Sequence, residues 1–99
     1  MPLRHLVLLK FKPEATPAQV EALESAFVGL ASKINAVQSL EWGTNISPEG
    51  LDKGFTHCFN LTFANEAARA VYLPHPAHLA FVALLKPALD DVLVLDYAV

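Results

Sequence analysis

Four histidines and one tyrosine are the side chains of this sequence best suited to chemistry: His5, His57, Tyr72, His75 and His78. A free imidazole titrates near pH 6.5, so it takes and returns a proton close to neutrality. A phenol beside one can orient it or donate to a developing oxyanion. Tyr72, His75 and His78 fall together in Tyr72-Leu73-Pro74-His75-Pro76-Ala77-His78, while His5 and His57 each interrupt an apolar run. Such a set suffices for enolisation, isomerisation or aldol closure. Each member also has a plain structural reading, as a hydrogen-bonded core histidine, a helix cap (most simply His75, before Pro76) or an aromatic plug (Tyr72). A zinc site is a weaker alternative, because Pro76 separates His75 from His78 and no carboxylate adjoins the strand histidines. A hard cation on backbone carbonyls would leave no side-chain signature. No glycine-rich nucleotide loop and no nucleophile elbow occurs, so no cofactor and no side-chain metal site is expected.

The elements that position these groups follow from periodicity. Leu3 to Phe11, bounded by Pro2 and Pro13, reads as a strand with His5, Val7 and Leu9 on one face. Thr16-Pro17-Ala18-Gln19 combines a hydroxyl cap, a proline at the first helical position and a capping-box Gln. The helix it starts carries an apolar stripe, Val20, Leu23, Phe27, Leu30 and Ile34, with Glu21, Glu24, Ser25 and Ser32 directed elsewhere. Alternation returns from Val37 to Ile46, and again from Phe55 to Phe63, where His57 shares a face with Phe59 and Leu61. Asn65 caps a helix to about Leu73, a second segment restarts at Pro76 and runs to about Lys86, and Val92 to Tyr97 is a last strand. If the faces of His5 and His57 are the helix-facing ones, both imidazoles enter one apolar pocket. Val7, Leu9, Phe27, Phe59, His75 and Phe81 are its candidate lining.

The order β-α-β-β-α-β predicts a ferredoxin-like α+β fold, an antiparallel sheet with its helices on one face, as a single domain over residues 1–99. Leu6 and Leu8 oppose Val7 and Leu9 on the first strand, and Leu93 and Leu95 oppose Val92 and Val94 on the last, so both sheet faces are apolar. The helices cover one face. A second copy is the simplest cover for the other, which predicts a homodimeric α/β barrel. Trp42, with Leu40 and Ile46, is expected to fill that dimer face.

Composition narrows the function classes. The chain is 54% hydrophobic and 17% charged, with a net charge of −3 and its seven Lys and Arg scattered, so no nucleic-acid stripe is present. Its apolar runs are far shorter than the roughly 20 residues of a membrane span. The lone Cys58 and the lack of a leader-like start point to a cytoplasmic protein.

His5-Leu6-Val7-Leu8-Leu9-Lys10-Phe11-Lys12, Thr56-His57 and the His75-Pro76-Ala77-His78 element resemble the stress-responsive dimeric α/β-barrel (Dabb) family along essentially the whole chain. The resemblance implies the dimeric barrel. It also implies, by analogy with catalytic members that close polyketides without a cofactor, His78 as the acid/base, Tyr72 as its orienter and His5 as a helper. Phe27 and Leu89 stand where those members carry other aromatics. Three readings stay open: a cofactor-independent lyase, cyclase or isomerase on a small hydrophobic keto compound; a binding module holding such a ligand without turnover; and a structural stress protein whose interior is filled by Phe27, Phe59, Phe63 and Phe81. A cofactor-free monooxygenase of the same fold is a lesser alternative.

Overall fold

A computed structural model describes all residues, 1–99. In chain order the elements are β1 (Leu3–Phe11), α1 (Pro17–Lys33), β2 (Ser39–Thr44), β3 (His57–Phe63), α2 (Glu66–Tyr72), α3 (Pro76–Leu85), a 3-10 turn (Lys86–Ala88) and β4 (Leu89–Ala98). The four strands form one antiparallel sheet in the order β2-β3-β1-β4. This is the expected ferredoxin-like arrangement, with the second helix divided at Leu73-Pro74-His75. No helix is long and apolar enough to cross a membrane.

The caps form as the sequence predicts. Thr16 accepts from the Gln19 amide while the Gln19 side chain accepts from the Thr16 amide, closing the capping box at α1. Asn65 caps α2, and His75 caps α3 by accepting at Nδ1 from the Ala77 N–H at 3.0 Å. Pro76 follows at the first position of α3, where its missing N–H costs nothing.

Strand alternation sorts the faces. Leu3, His5, Val7 and Leu9 of β1 and His57, Phe59, Leu61 and Phe63 of β3 are buried under the helices. From α1, Leu23, Phe27 and Leu30 meet them. Phe27 stacks on Phe59 at a centroid separation of 4.0 Å and 12°, and Phe81 of α3 lies 4.7 Å from Phe27. These three rings join both helical layers to the sheet.

Strand ends differ from the expectation. β4 begins at Leu89 rather than Val92, because Asp90 and Asp91, which look like turn residues, lie in a strand segment that pairs with Phe11 and Lys10 across a register shift. β2 is shorter than Val37 to Ile46, and Ile46 stands almost fully in solvent. β3 starts at His57, two residues late, because the Phe55 N–H is taken by the Asp52 carbonyl in the preceding turn. Trp42 is a correction of face. It pairs directly with Phe59, and residues opposite one another on antiparallel strands share a face. Its ring stacks on Phe59 at 5.1 Å, on the helix side and not on the open face.

The stacked rings supply the first expected outcome. Phe27→Ala leaves a void that the sheet cannot collapse into, and costs about 3–5 kcal/mol in urea unfolding. The double variant Phe27→Ala/Phe59→Ala costs less than the sum of the two single changes, because the lost contact is shared.

Candidate functional site

The helix-facing side of β1 places His5 opposite Asp96 of β4 and Leu61 of β3. His5 Nδ1 lies 2.7 Å from Asp96 Oδ1, and the other carboxylate oxygen accepts from Arg69 Nη1 at 2.8 Å. A carboxylate only accepts, so Nδ1 carries the proton and Nε2 of a neutral His5 holds the lone pair. Arg69 comes from α2, three residues before Tyr72 and therefore on the same side of that helix. β1, β4 and α2 are tied together at one carboxylate.

Tyr72 is fully buried, packed 5.1 Å from Phe63 and 6.0 Å from the His5 ring, edge-on to the latter. Desolvation pushes its phenol well above the ordinary tyrosine value, so the hydroxyl keeps its proton at any physiological pH. The His78 ring lies 4.4 Å from Tyr72. His78 Nδ1–H donates to the Leu73 carbonyl at 2.8 Å, which fixes the tautomer and leaves Nε2 as the basic nitrogen. The carbonyl it uses exists because α2 stops at Tyr72 and the chain breaks before Pro76. His78, Tyr72 and His5 thus form one contiguous group, while His75 is held at its cap.

His57 belongs to a different cluster, where β3 starts. Its Nε2–H donates to Glu24 of α1 at 2.7 Å, and Thr56 Oγ1 donates to Nδ1 at 2.7 Å. Phe11 packs edge-on at 5.0 Å and Trp42 lies parallel at 6.0 Å. Three corrections follow. His5 and His57 do not enter one apolar pocket. Glu24 turns in to the sheet instead of pointing away, and each strand histidine has a carboxylate beside it, Asp96 or Glu24.

Between the two clusters the proposed lining, Val7, Leu9, Phe27, Phe59 and Phe81, is packed against itself with every member buried. The phenylalanine rings fill that space. Two hollows lie at the surface: one of about 410 Å³ is bordered by Lys12, Ala15, Gln19, Ala22, Ala26 and Pro87, and one of about 500 Å³, at the β2 end of the sheet, is bordered by Leu6, Leu8, Trp42, His57, Cys58 and Asn60. Burial raises the Cys58 thiol above its usual value. The histidine group instead borders an uncovered strip. Val92 and Val94 pair with Leu9 and Val7, so they face the helix side, yet they are 43% and 51% exposed because the helical layer ends short of β4.

Sequence reasoning missed Asp96, Arg69 and Glu24 as partners. Asp96 carried a signal, being the one charge on the Val92-Val94 side of an otherwise apolar run. Nothing in the spacing of α1 or α2 singled out Glu24 or Arg69.

The β2-β3-β1-β4 antiparallel sheet with its helices on one face is a ferredoxin-like fold, and comparison with known proteins gives the family. Residues 3–99 match the Stress responsive A/B Barrel Domain, Dabb, and the chain belongs to that family. It is 38% identical over 96 residues to the stress-response A/B barrel domain-containing protein HS1 of Arabidopsis thaliana, covering 97% of this chain and 88% of that protein. It is 33% identical over 97 residues to olivetolic acid cyclase of Cannabis sativa, covering 98% and 96%. Among solved structures, the hydroxynitrile lyase from Passiflora edulis superposes with a TM-score of 0.93 at 26% identity, over 99% of this chain and 93% of that one. A dimeric ferredoxin-like protein of unknown function from a Jannaschia species superposes with a TM-score of 0.86 at 26% identity, over the whole of both chains.

The buried phenol gives a pH dependence with a definite sign. A pKa raised on folding means that the native state holds a proton the unfolded chain releases above about pH 10. The stabilisation is complete below that pH and is lost as pH rises towards the folded value. Measured on a Cys58→Ala background, which removes a second raised group of the same sign, Tyr72→Phe flattens the fall in urea stability between pH 9 and about pH 11.

Proposed function

We propose that the protein is a cofactor-independent lyase or cyclase for a small hydrophobic carbonyl compound, with His78 as its acid/base. The observation that carries this reading is the Nδ1–H bond from His78 to the Leu73 carbonyl, which presents Nε2 as a base beside a phenol that keeps its proton. Closing a carbon–carbon bond onto a carbonyl and opening one are two directions of the same chemistry. In closure, Nε2 takes a proton from the carbon next to one carbonyl and the resulting enolate attacks a second. The alkoxide formed then recovers the proton from the imidazolium. In cleavage, Nε2 takes the hydroxyl proton, the adjacent C–C bond breaks as the carbonyl forms, and the leaving carbanion takes up the proton. Tyr72, as a permanent donor, suits the oxygen on which charge develops. His5, whose ring is oriented through Nδ1 by Asp96, serves as the helper in this reading. The cyclase and lyase among the relatives support the same class.

A second reading has one observation in its favour. Phe27, Phe59 and Phe81 fill the interior, leaving an exposed strip rather than an enclosed chamber, as suits a module that holds a ligand without converting it. The two readings divide on His78. With mandelonitrile cleavage and the aldol closure of heptane-2,6-dione to a six-membered ring as assays, His78→Ala lowers turnover by about a hundredfold or more while the protein stays folded by circular dichroism. Absence of turnover by the wild type, or turnover indifferent to this change, sinks the enzymatic reading.

The working unit of this proposal is a homodimer in the cytoplasm. Leu6, Leu8, Leu93 and Leu95 share the open face, and Leu93 and Leu95 are about half exposed in the single chain. An apolar face of this kind needs a cover, and a second copy supplies it in the manner of the dimeric Jannaschia relative. Sedimentation analysis should give a dimer for the wild type and a monomer for Leu95→Asp, which would bury a charge in that interface.

A further inference from the structure

The uncovered strip along β4 has a charged end. Val92, Val94 and Asp96 lie on one face, the helix side, at every second residue. From Asp96 to Val92 an extended strand runs about 13 Å, the length of a medium acyl chain. The dimer proposed above is built on the opposite face, that of Leu6, Leu8, Leu93 and Leu95. Above its Asp96 end stands Arg69, with a side chain 29% exposed.

A guanidinium has five N–H donors in a rigid fork. Arg69 gives Asp96 a single bond from Nη1, and the second Asp96 oxygen is engaged by His5, so the fork is not matched in pairs and most of its donors are left over. Asp96 is offset by Arg69 and hydrogen-bonded by His5, so no unpaired negative charge stands here to repel an anion. α3, PAHLAFVALL, brings no charged side chain to the neighbourhood. One fork of free donors therefore stands at the Asp96 end of an apolar track, carried on the same helix as Tyr72.

We infer that Arg69 reads a carboxylate on the ligand: the substrate class is a small aliphatic keto acid, its carboxylate on the free N–H groups of Arg69 and its chain along Val94 and Val92. This rests on the reading that ligands are handled at His78 and Tyr72, and it names their chemical class. Arg69 is then a specificity-determining residue, because a carboxylate matches the fork with two parallel bonds and a neutral amide of the same length does not.

Hexanoate and hexanamide, titrated calorimetrically into the full chain, test the assignment. The wild type binds hexanoate at least about tenfold more tightly than hexanamide. Arg69→Gln abolishes the preference, bringing hexanoate to the level of hexanamide in that variant, and Arg69→Lys, which keeps the charge without the fork, retains part of the preference. Equal binding of the two probes by the wild type, or no binding of hexanoate at tens of millimolar, overturns the inference. So does an Arg69→Gln variant that weakens both probes by the same factor, which marks Arg69 as a purely structural partner of Asp96. The catalytic reading fails separately. If turnover collapses in His78→Ala but the acid preference is absent, the Arg69 assignment alone is lost; if the preference holds and turnover is indifferent to His78, the protein is a binder of carboxylates.

Discussion

One carboxylate with two donors holds the site together. Asp96 accepts from His5 on one oxygen and from Arg69 on the other, and these three residues come from β4, β1 and α2. A half-buried carboxylate stripped of partners is costly, so the pairing constrains more than its own geometry. It fixes the His5 tautomer, it draws α2 down onto the sheet, and α2 carries Tyr72 with it. Tyr72 in turn packs on His78. The order of dependence runs from the register of β1 against β4, which sets His5 opposite Asp96, outwards to the basic nitrogen of His78.

Much of this architecture was legible in the sequence. The caps at Thr16 and His75 and the alternation in β1 and β3 follow from local rules, and those rules are strong because each satisfies specific backbone groups or faces. The grouping of His5, Tyr72 and His78 followed from the resemblance to a family and from the shared face. Polar pairing was the part that could not be read. Glu24 sits on α1 like any solvated glutamate, and only the distance between α1 and β3 in the folded chain brings it to His57. Arg69 is the same case on α2. The start of β4 was hidden because two aspartates resemble a turn, and Trp42 was assigned the wrong face because a short, exposed strand carries little burial signal of its own.

The two polar clusters divide the labour of the fold. At the start of β3, His57 and Glu24 join α1 to the sheet within an aromatic surround of Phe11 and Trp42. At the other, His5 and Asp96 border an exposed apolar strip and the broken helix. Phe27, Phe59 and Phe81 separate them, so a change at one cluster reaches the other only through a close-packed core. Residues that look equivalent by type, two buried histidines each with an acidic partner, therefore tie different pairs of elements together, His57 joining β3 to α1 and His5 joining β1 to β4.

The division of the second helix at Leu73-Pro74-His75 also sets a hierarchy of motion. α2 has seven residues, too few for an isolated helix to persist in water, so its order is borrowed from the Arg69 bond and the Tyr72 packing. Amide exchange in such a segment proceeds through local opening at a free energy below that of global unfolding. α3, ten residues long with its own cap, is anchored by Phe81 and Leu85 and does not share that fate. The arm that bears Tyr72 and Arg69 is therefore the less autonomous of the two, its order resting on contacts that Phe63, Asp96 and His78 supply.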